Sequence, residues 1–253
     1  MNEWLDDLRV AVAMLTRIPM PHPDGASPAN FVRAQRLVPL VGAGIGAAVG
    51  LVFWALHAAG LPALAAAALA LGAGMWLTGG FHEDGLADLA DGFGGGRDKA
   101  AKLEIMRDSR IGTYGTLILI VAFVCKVAAI ASLPNAAALA SLVAAHALSR
   151  GLMPTVALYL PPARSDGLGA SAGRPDNAIA VIAMALAVVI ALVCLPFASA
   201  IPAIVAAIAA VAAVALIGWR QIGGYTGDVL GGAQQVAEVS VLLVLAARMG
   251  MPA

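Results

Sequence analysis

The sequence predicts an all-α fold, a polytopic integral membrane helix bundle of about seven transmembrane helices with an N-terminal interfacial helix. Two properties of the composition predict this class. Of the 253 residues, 61% are hydrophobic and only 12% are charged, whereas soluble domains carry about 45–50% apolar and about 25% charged residues. The third observation is that the apolar residues form long stretches of the length that crosses a bilayer, about 20 residues. Together they exclude a water-soluble enzyme, a disordered chain and a disulfide scaffold.

The N-terminal segment predicts an amphipathic helix. Its apolar residues recur at helical spacing: Trp4, Leu5, Leu8, Val12 and Leu15. Such a stripe beside charged residues is typical of a helix in the membrane interface, and a helix packed against the bundle fits the pattern equally well. The segment is acidic and has no basic region followed by an apolar one, so we expect no cleaved signal peptide.

Seven apolar stretches then predict the spans: Leu37–Ala59, Leu61–Gly79, Thr113–Leu133, Ala136–Tyr159, Asn177–Phe197, Ile201–Gly218 and Val229–Ala247. The sixth is short and the last begins with polar residues, so the number is approximate. Basic residues lie before the first span and in every second connection. Because positive charge marks the cytoplasmic side, we expect the N-terminus and these connections in the cytoplasm. The opposite connections are short and uncharged, which predicts cytoplasmic active-site loops rather than a conduit.

Charge and cysteine usage exclude other partners. The chain has 15 basic and 15 acidic residues, a net charge of zero, which gives no indication of a nucleic-acid partner. Cys125 and Cys194 lie inside apolar runs, where cysteine behaves as a small hydrophobe. Neither has a neighbour at metal-ligand spacing, so we expect neither a disulfide nor a zinc site.

An acidic segment follows the second predicted span. On a helix, Asp84, Asp88 and Asp91 stand at positions i, i+4 and i+7 and share one face. Like charges so placed repel one another, and a hard divalent cation such as Mg²⁺ or Mn²⁺ would reverse that cost. Glu83 points roughly 100° away and is a weaker ligand candidate. A solvated acidic face is the alternative, but the glycine run 92–96 that follows would let a bulky substrate approach closely.

The next segment interleaves basic and acidic side chains. Its charged residues include Arg97, Lys102, Glu104, Arg107, Asp108 and Arg110. Basic groups beside a metal-binding acidic face are what metal-assisted phosphoryl or nucleotidyl transfer requires, because they neutralise charge that develops on the leaving group. Positive-inside anchoring explains some of these cations, but not the interleaving with acids.

Three ionisable residues fall inside predicted spans. These are Lys126, Arg150 and Glu238, and ionisable groups at membrane depth suggest function by default. Pairing with Glu238 to hold the bundle together is an equally good interpretation of the two cations. His82 borders the acidic segment and would bind phosphate or act as an acid or base, whereas His57 and His146 fit satisfied core positions.

The motifs resemble the cobalamin (5′-phosphate) synthase family over essentially the whole chain. Four blocks carry the resemblance: 15–19 (LTRIP), 80–92, 102–115, and 224–228 followed by Glu238. It implies an integral enzyme of the bacterial cytoplasmic (inner) membrane, with its active site facing the cytoplasm. Its implied substrates are adenosylcobinamide-GDP and α-ribazole or its 5′-phosphate, with GMP as product and Mg²⁺ as cofactor. The lipid bilayer is a further partner. The Gly- and Ala-rich spans fit a homo-oligomer and a compact monomer alike.

The resemblance also suggests roles for the residues above. Asp84, Asp88 and Asp91, with Glu83 as a weaker ligand, would hold Mg²⁺ on the pyrophosphate. Arg107 and Arg110 would stabilise the departing GMP, and Asp91 or Asp108 would accept the hydroxyl proton. Asp228 and Glu238 would complete a second contact. The remaining expected substrate-binding residues are His82, Arg97, Lys102, Glu104, Tyr114 and Thr226.

Two alternatives stay open at this stage. A CDP-alcohol phosphotransferase-like enzyme also gathers aspartates at the cytoplasmic ends of membrane helices, but the characteristic second aspartate run of that class is absent here. A transporter would use Lys126, Arg150 and Glu238 to line a pathway. The uncharged outer connections and the lack of evident repeats argue against it.

Overall fold

The structure is a computed structural model that describes residues 3–21, 28–167 and 173–250. Within these ranges it is helical and contains no strand. We number the helices in chain order: α1 Glu3–Leu15, α2 Pro28–Ala34, α3 Val38–Ala58, α4 Ala63–Thr78, α5 Phe81–Gly95, α6 Lys99–Ile105, α7 Thr113–Ala131, α8 Asn135–Gly151, α9 Met153–Tyr159, α10 Asn177–Cys194, α11 Phe197–Ile222 and α12 Gly227–Met249. A 3₁₀ turn, Gln35–Leu37, joins α2 to α3.

The helix lengths confirm a membrane bundle. In the described part of the chain, six helical stretches are long and apolar enough to cross a bilayer, and a seventh is added if α4 and α5 count as one interrupted span. The 16 residues of α4 reach about 24 Å at 1.5 Å per residue, close to the roughly 30 Å hydrocarbon core. The axis of α5 then turns away by 93°. We therefore treat α4 as the crossing and α5 as a helix outside it.

Two glycines make the turn between α4 and α5. Gly79 and Gly80 adopt φ values of +77° and +69°, which glycine reaches without the steric cost that a side chain would add. Other helix starts are fixed by side-chain caps. Asp98, Asp176 and Thr226 each accept a hydrogen bond from a backbone N–H in the first turn of the helix that follows.

Small residues allow the closest helix contact, between α3 and α8. A Cβ atom on Gly46 would lie 2.7 Å from the Leu142 carbonyl carbon and 2.9 Å from Val143 Cα. Gly42 and Gly50 stand one turn to either side and also face α8. Because packing rather than hydrophobicity drives helix association in lipid, this glycine stripe is what lets the two backbones meet.

The predicted N-terminal helix is present, and the bundle covers only part of its apolar stripe. Trp4 and Leu5, both in the predicted apolar stripe, are exposed by 48% and 46%. Asp7 is instead fully buried and pairs with Arg33 Nε at 2.8 Å and Arg36 Nη2 at 2.6 Å. The helix thus docks on the bundle through an ion pair as well as through its apolar residues, which hydrophobic periodicity could not reveal.

Candidate active site

A cavity of about 640 Å³ lies beside the turn between α4 and α5. Four charged side chains line it: Arg17, Glu83, Asp84 and Asp88. The remaining lining is small or apolar apart from Thr78 and Ser109. The volume suits a substantial ligand, because pockets for small molecules measure about 300–1,000 Å³.

Helix α5 supplies the carboxylates of the cavity. Asp84 is exposed and Asp88 is half-buried, and both lie on the cavity side of the helix. An adjoining side of α5 touches α12, where a Cβ atom on Gly85 would lie 3.2 Å from Gly231 Cα and 3.3 Å from Asp228 Cα. This close approach of two backbones brings Asp228 near the α5 carboxylates.

The carboxylates crowd one another. Burial, together with the negative charges of Asp84, Asp228 and Asp91, raises the pKa of Asp88 to about 7. The Arg164 guanidinium opposes that shift, and its Nη2 atom lies 3.4 Å from Asp228 Oδ2. A carboxyl so perturbed in a cavity marks a candidate functional group.

This donor set fits a magnesium ion that is also held by a substrate. Among the described residues, no three His, Cys, Asp or Glu side chains converge into a complete protein ligand set. Mg²⁺ does not need one, because it keeps several waters and typically binds through one or two carboxylates plus substrate phosphates. Asp84 and Asp88 offer those carboxylates, and their mutual repulsion is what a cation would relieve.

Asp91, expected to bind metal or to act as base, is used otherwise. Its Oδ2 accepts a hydrogen bond from the Gly112 N–H at 2.7 Å, and its Oδ1 accepts one from the Gly115 N–H at 2.9 Å. The carboxylate is buried and does not line the cavity. It therefore holds the N-terminus of α7 to α5, a place where helix dipole and free N–H groups favour an anion.

Glu238 also lies away from the cavity, so the structure does not bring it together with Asp84 and Asp88. It is 2% exposed and lies 3.1 Å from Lys126 Nζ and 3.3 Å from Arg150 Nη1. Gln234 Nε2 donates to it at 2.7 Å, and His146 Nε2 is 3.6 Å away. The pairing of Lys126 and Arg150 with Glu238, which was one of the two interpretations of these buried charges, is therefore present in the structure.

Glu83 lies between this buried cluster and the cavity. Its Oε1 accepts a hydrogen bond from Gln235 Nε2 at 3.0 Å and stands 3.9 Å from Lys126 Nζ. The carboxylate expected as a weaker metal ligand is thus directed into the bundle. Its contacts join α5 to α7 and α12, so Glu83 positions the helix that carries Asp84 and Asp88.

The basic segment after α6 does not enter the cavity through its charged side chains. Arg107 donates to both oxygens of Asp166 at 2.7 Å, and Arg110 pairs with Asp108. The Arg110 hydrogen bonds lower the pKa of Asp108 to about 2, which makes it a poor proton acceptor. Ser109, between them, is the member of this loop that lines the cavity.

The other expected substrate contacts are placed around the site rather than in it. Arg97 and Glu104 are exposed, and the ring of Tyr114 covers Gly94. The other three are engaged within the protein. Lys102 donates a hydrogen bond to Gln221 Oε1, and Thr226 caps α12. His82 is buried, and this burial lowers its pKa. None of these six lines the cavity.

Sequence reasoning missed Arg17 as a site residue. In the sequence it was treated only as one of the positive charges before the first span. The signal that could have identified it is its place in the LTRIP block. The structure places it in the cavity with Asp84 and Asp88.

Comparisons with known proteins agree over nearly the full length. The family model for cobalamin-5-phosphate synthase matches residues 7–246. An adenosylcobinamide-GDP ribazoletransferase of Bradyrhizobium diazoefficiens is 41% identical over 242 residues, covering 95% of this chain and 93% of the relative. Proteins with the same name from Azorhizobium caulinodans and Xanthobacter autotrophicus are 42% and 45% identical, each over 94% of both chains.

No solved structure matches this chain significantly. The family match covers all four sequence blocks, including the block at 102–115 that a CDP-alcohol phosphotransferase would leave unexplained. Because the family model matches residues 7–246 and a relative is 41% identical over 95% of this chain, the chain belongs to the cobalamin-5-phosphate synthase family.

Proposed function

We propose that this protein transfers the adenosylcobinamide phosphate group from adenosylcobinamide-GDP to α-ribazole or α-ribazole 5′-phosphate. A ribose hydroxyl oxygen forms a bond to the cobinamide-side phosphorus and releases its proton to solvent. The bond from that phosphorus to the bridging oxygen breaks, and GMP leaves with that oxygen. The products are adenosylcobalamin or its 5′-phosphate, and GMP. The name shared by the relatives supports this substrate pair.

One observation of the site carries the proposal. Asp84 and Asp88 face a cavity large enough for a nucleotide, and the crowding around Asp88 leaves a carboxyl with a pKa of about 7. We infer that these two carboxylates hold Mg²⁺ against the diphosphate of the donor. When bound, the ion would neutralise charge on the phosphate oxygens. Asp91 and Glu83 hold α5, which carries these carboxylates, in place: Asp91 bonds to the N-terminus of α7, and Glu83 bonds to α12.

The proposed location is the bacterial inner membrane with the cavity open to the cytoplasm. Its support is the distribution of the basic residues in the connections: those before the first predicted span and in every second connection share one side of the membrane, and the connections on the other side carry no charge. A homo-oligomer stays a prediction. Labelling of single-cysteine variants in intact cells tests the orientation: a cysteine at exposed Ser109 should be protected from a membrane-impermeant reagent, and one at Gly60, in an outer turn, should react.

A turnover assay tests the activity. Purified protein in nanodiscs is given adenosylcobinamide-GDP, α-ribazole 5′-phosphate and Mg²⁺, and both GMP and the corrinoid product are measured. We expect product with the native protein, none with EDTA, and none with Asp84→Asn. Asp6→Asn is the matched control and should keep native turnover, because Asp6 pairs with Arg9 on α1 and does not line the cavity. Normal turnover by Asp84→Asn would contradict the metal assignment, and absence of product from folded native protein would contradict the activity.

A further inference from the structure

Acidic side chains outnumber basic ones in the lining of the cavity. Its lining includes Glu83, Asp84 and Asp88 but only one basic side chain, Arg17. The cations expected from the sequence, Arg107 and Arg110, form ion pairs outside it. A diphosphate that binds beside Asp84 and Asp88 adds its own negative charge to theirs, and one divalent ion does not balance that sum. Arg17 is therefore the side chain to consider.

The backbone of Arg17 is fixed to the end of α4. Its N–H donates to the Leu77 carbonyl oxygen at 2.8 Å, immediately before the glycine turn into α5. The residue before it, Thr16, donates from its hydroxyl to Val12 O at 2.8 Å and accepts from the Ile18 N–H at 3.2 Å. These bonds close the end of α1 and place Arg17 at one defined point on the cavity wall.

The glycine turn makes room for the Arg17 side chain. A Cβ atom on Gly79 would lie 2.7 Å from Arg17 Nε, so the guanidinium packs directly against the bare backbone of Gly79. Within the described ranges, no carboxylate lies within 4 Å of the guanidinium and no protein acceptor takes its N–H groups. Arg17 is exposed to the cavity, and it therefore has donors to offer to a ligand.

A buried ion pair fixes the helix that leads to Arg17. Asp7 on α1 is fully buried and bridges Arg33 and Arg36. The Arg36 guanidinium also stacks over the Trp4 ring, 3.8 Å from its centroid. This bridge ties α1 to α2 and to the turn that precedes α3. Removing one member would leave an uncompensated buried charge, so the pair fixes the position of α1 against the bundle.

We propose that Arg17 binds the diphosphate of the nucleotide-activated donor, opposite Asp84 and Asp88, and that Asp7 is a positioning residue that acts through α1. The inference rests on the proposed function, since it assigns a residue to that substrate. A guanidinium suits the role because its planar fork binds phosphate oxygens in pairs. The N-terminal helix is then a part of the substrate site and not only a membrane-surface anchor.

Equilibrium binding and steady-state kinetics in nanodiscs test the role of Arg17. We expect Arg17→Gln to weaken binding of adenosylcobinamide-GDP about 10- to 100-fold, the range for a lost hydrogen-bonded charge contact. Binding of adenosylcobinamide, which has no diphosphate, should not change, and Arg17→Lys should recover part of the loss. Arg9→Gln is the matched control, because it removes a positive charge from α1 at a residue that pairs with Asp6 away from the cavity.

A double-mutant cycle tests the role of Asp7. We expect Asp7→Asn to raise the KM for adenosylcobinamide-GDP in the native background, and to add nothing in the Arg17→Gln background. If Asp7 acted only on the stability of the fold, Asp7→Asn would raise the KM in both backgrounds. Asp7→Glu keeps the charge and should restore the native KM. If Asp7→Asn does not fold, Arg33→Gln, which removes one partner of Asp7, replaces it in the same cycle. An increase in KM that persists in the Arg17→Gln background would overturn the positioning role.

The outcomes separate this inference from the proposed function. Native protein that forms product while Arg17→Gln keeps the native affinity for adenosylcobinamide-GDP would overturn the role of Arg17 alone. Equal losses for adenosylcobinamide and adenosylcobinamide-GDP would also overturn it, because the diphosphate would not be what Arg17 contacts. Native protein that neither binds adenosylcobinamide-GDP nor forms product would overturn both.

Discussion

Replacing Gly46 by alanine should loosen the bundle at the contact between α3 and α8. The added Cβ atom would lie 2.7 Å from the Leu142 carbonyl carbon and 2.9 Å from Val143 Cα, and closer still to the Leu142 oxygen. All three are backbone atoms, so no change of rotamer can relieve the overlap. Ordinary contacts of a Cβ atom begin at 3.4 Å, and the helices must therefore separate by at least about 0.7 Å at this point.

The expected cost follows from overpacking. Forcing extra atoms into a well-packed contact typically costs about 1–3 kcal/mol, against a gain of up to about 1 kcal/mol from the better helix propensity of alanine. The shift also reaches the buried cluster, because α8 carries His146 and Arg150, which face Glu238. With about 2–4 °C per kcal/mol for a protein of this size, we expect Tm to fall by several degrees.

Gly44 on the same helix is the matched control. A Cβ atom on Gly44 would meet nothing within 4 Å, so Gly44→Ala gains the propensity without the overlap. Thermal unfolding in one detergent, followed by intrinsic fluorescence, measures both variants. We expect Gly46→Ala to unfold below the native protein and Gly44→Ala at or above it. A Gly46→Ala protein as stable as Gly44→Ala would refute the close packing of α3 on α8.

Three further predictions concern the site and its supports. Gly115→Ala should detach the start of α7 from α5, because the added Cβ atom would displace the Asp91 carboxylate. Hydrogen exchange of the backbone amides in the first turn of α7 should then accelerate. A native exchange pattern would contradict this. Glu238→Gln should lower the free energy of unfolding by about 3–5 kcal/mol, as expected when a buried ion pair loses one partner. It would remove the carboxylate that faces Arg150 and leave Lys126 with the more distant Glu83. An unchanged unfolding midpoint would count against it. A carboxyl whose pKa is raised by folding loses its stabilising effect as pH rises, so the metal-free protein should lose stability between about pH 4 and 7 through Asp88. Asp88→Asn should remove that loss, be more stable than native protein at pH 8, and be inactive; identical pH profiles of Tm for both proteins would refute the origin of the effect.

The membrane class, most of the spans and the acidic helix follow from the amino-acid sequence alone. Each depends on neighbours along the chain: about 20 consecutive apolar residues cross a bilayer, and residues four apart share a helix face. That is why Asp84 and Asp88 were placed correctly on one side of α5. The four family blocks also indicated the activity that the names of the relatives suggest. They could do so because the order and spacing of motifs are read along the chain and need no tertiary structure.

The tertiary structure alone decided which charged residues share the cavity. A helical wheel places Asp91 on the same face as Asp84, but only the fold shows that the N-terminus of α7, 21 residues further on, occupies it. Glu83 is turned inward by Gln235, 152 residues away, and Arg17 reaches the cavity because its backbone bonds to Leu77. Helical periodicity gives the direction of a side chain from its own axis, whereas its partner is set by the packing of distant segments. In this protein that packing, and not the local pattern, selects two carboxylates and one arginine for the site.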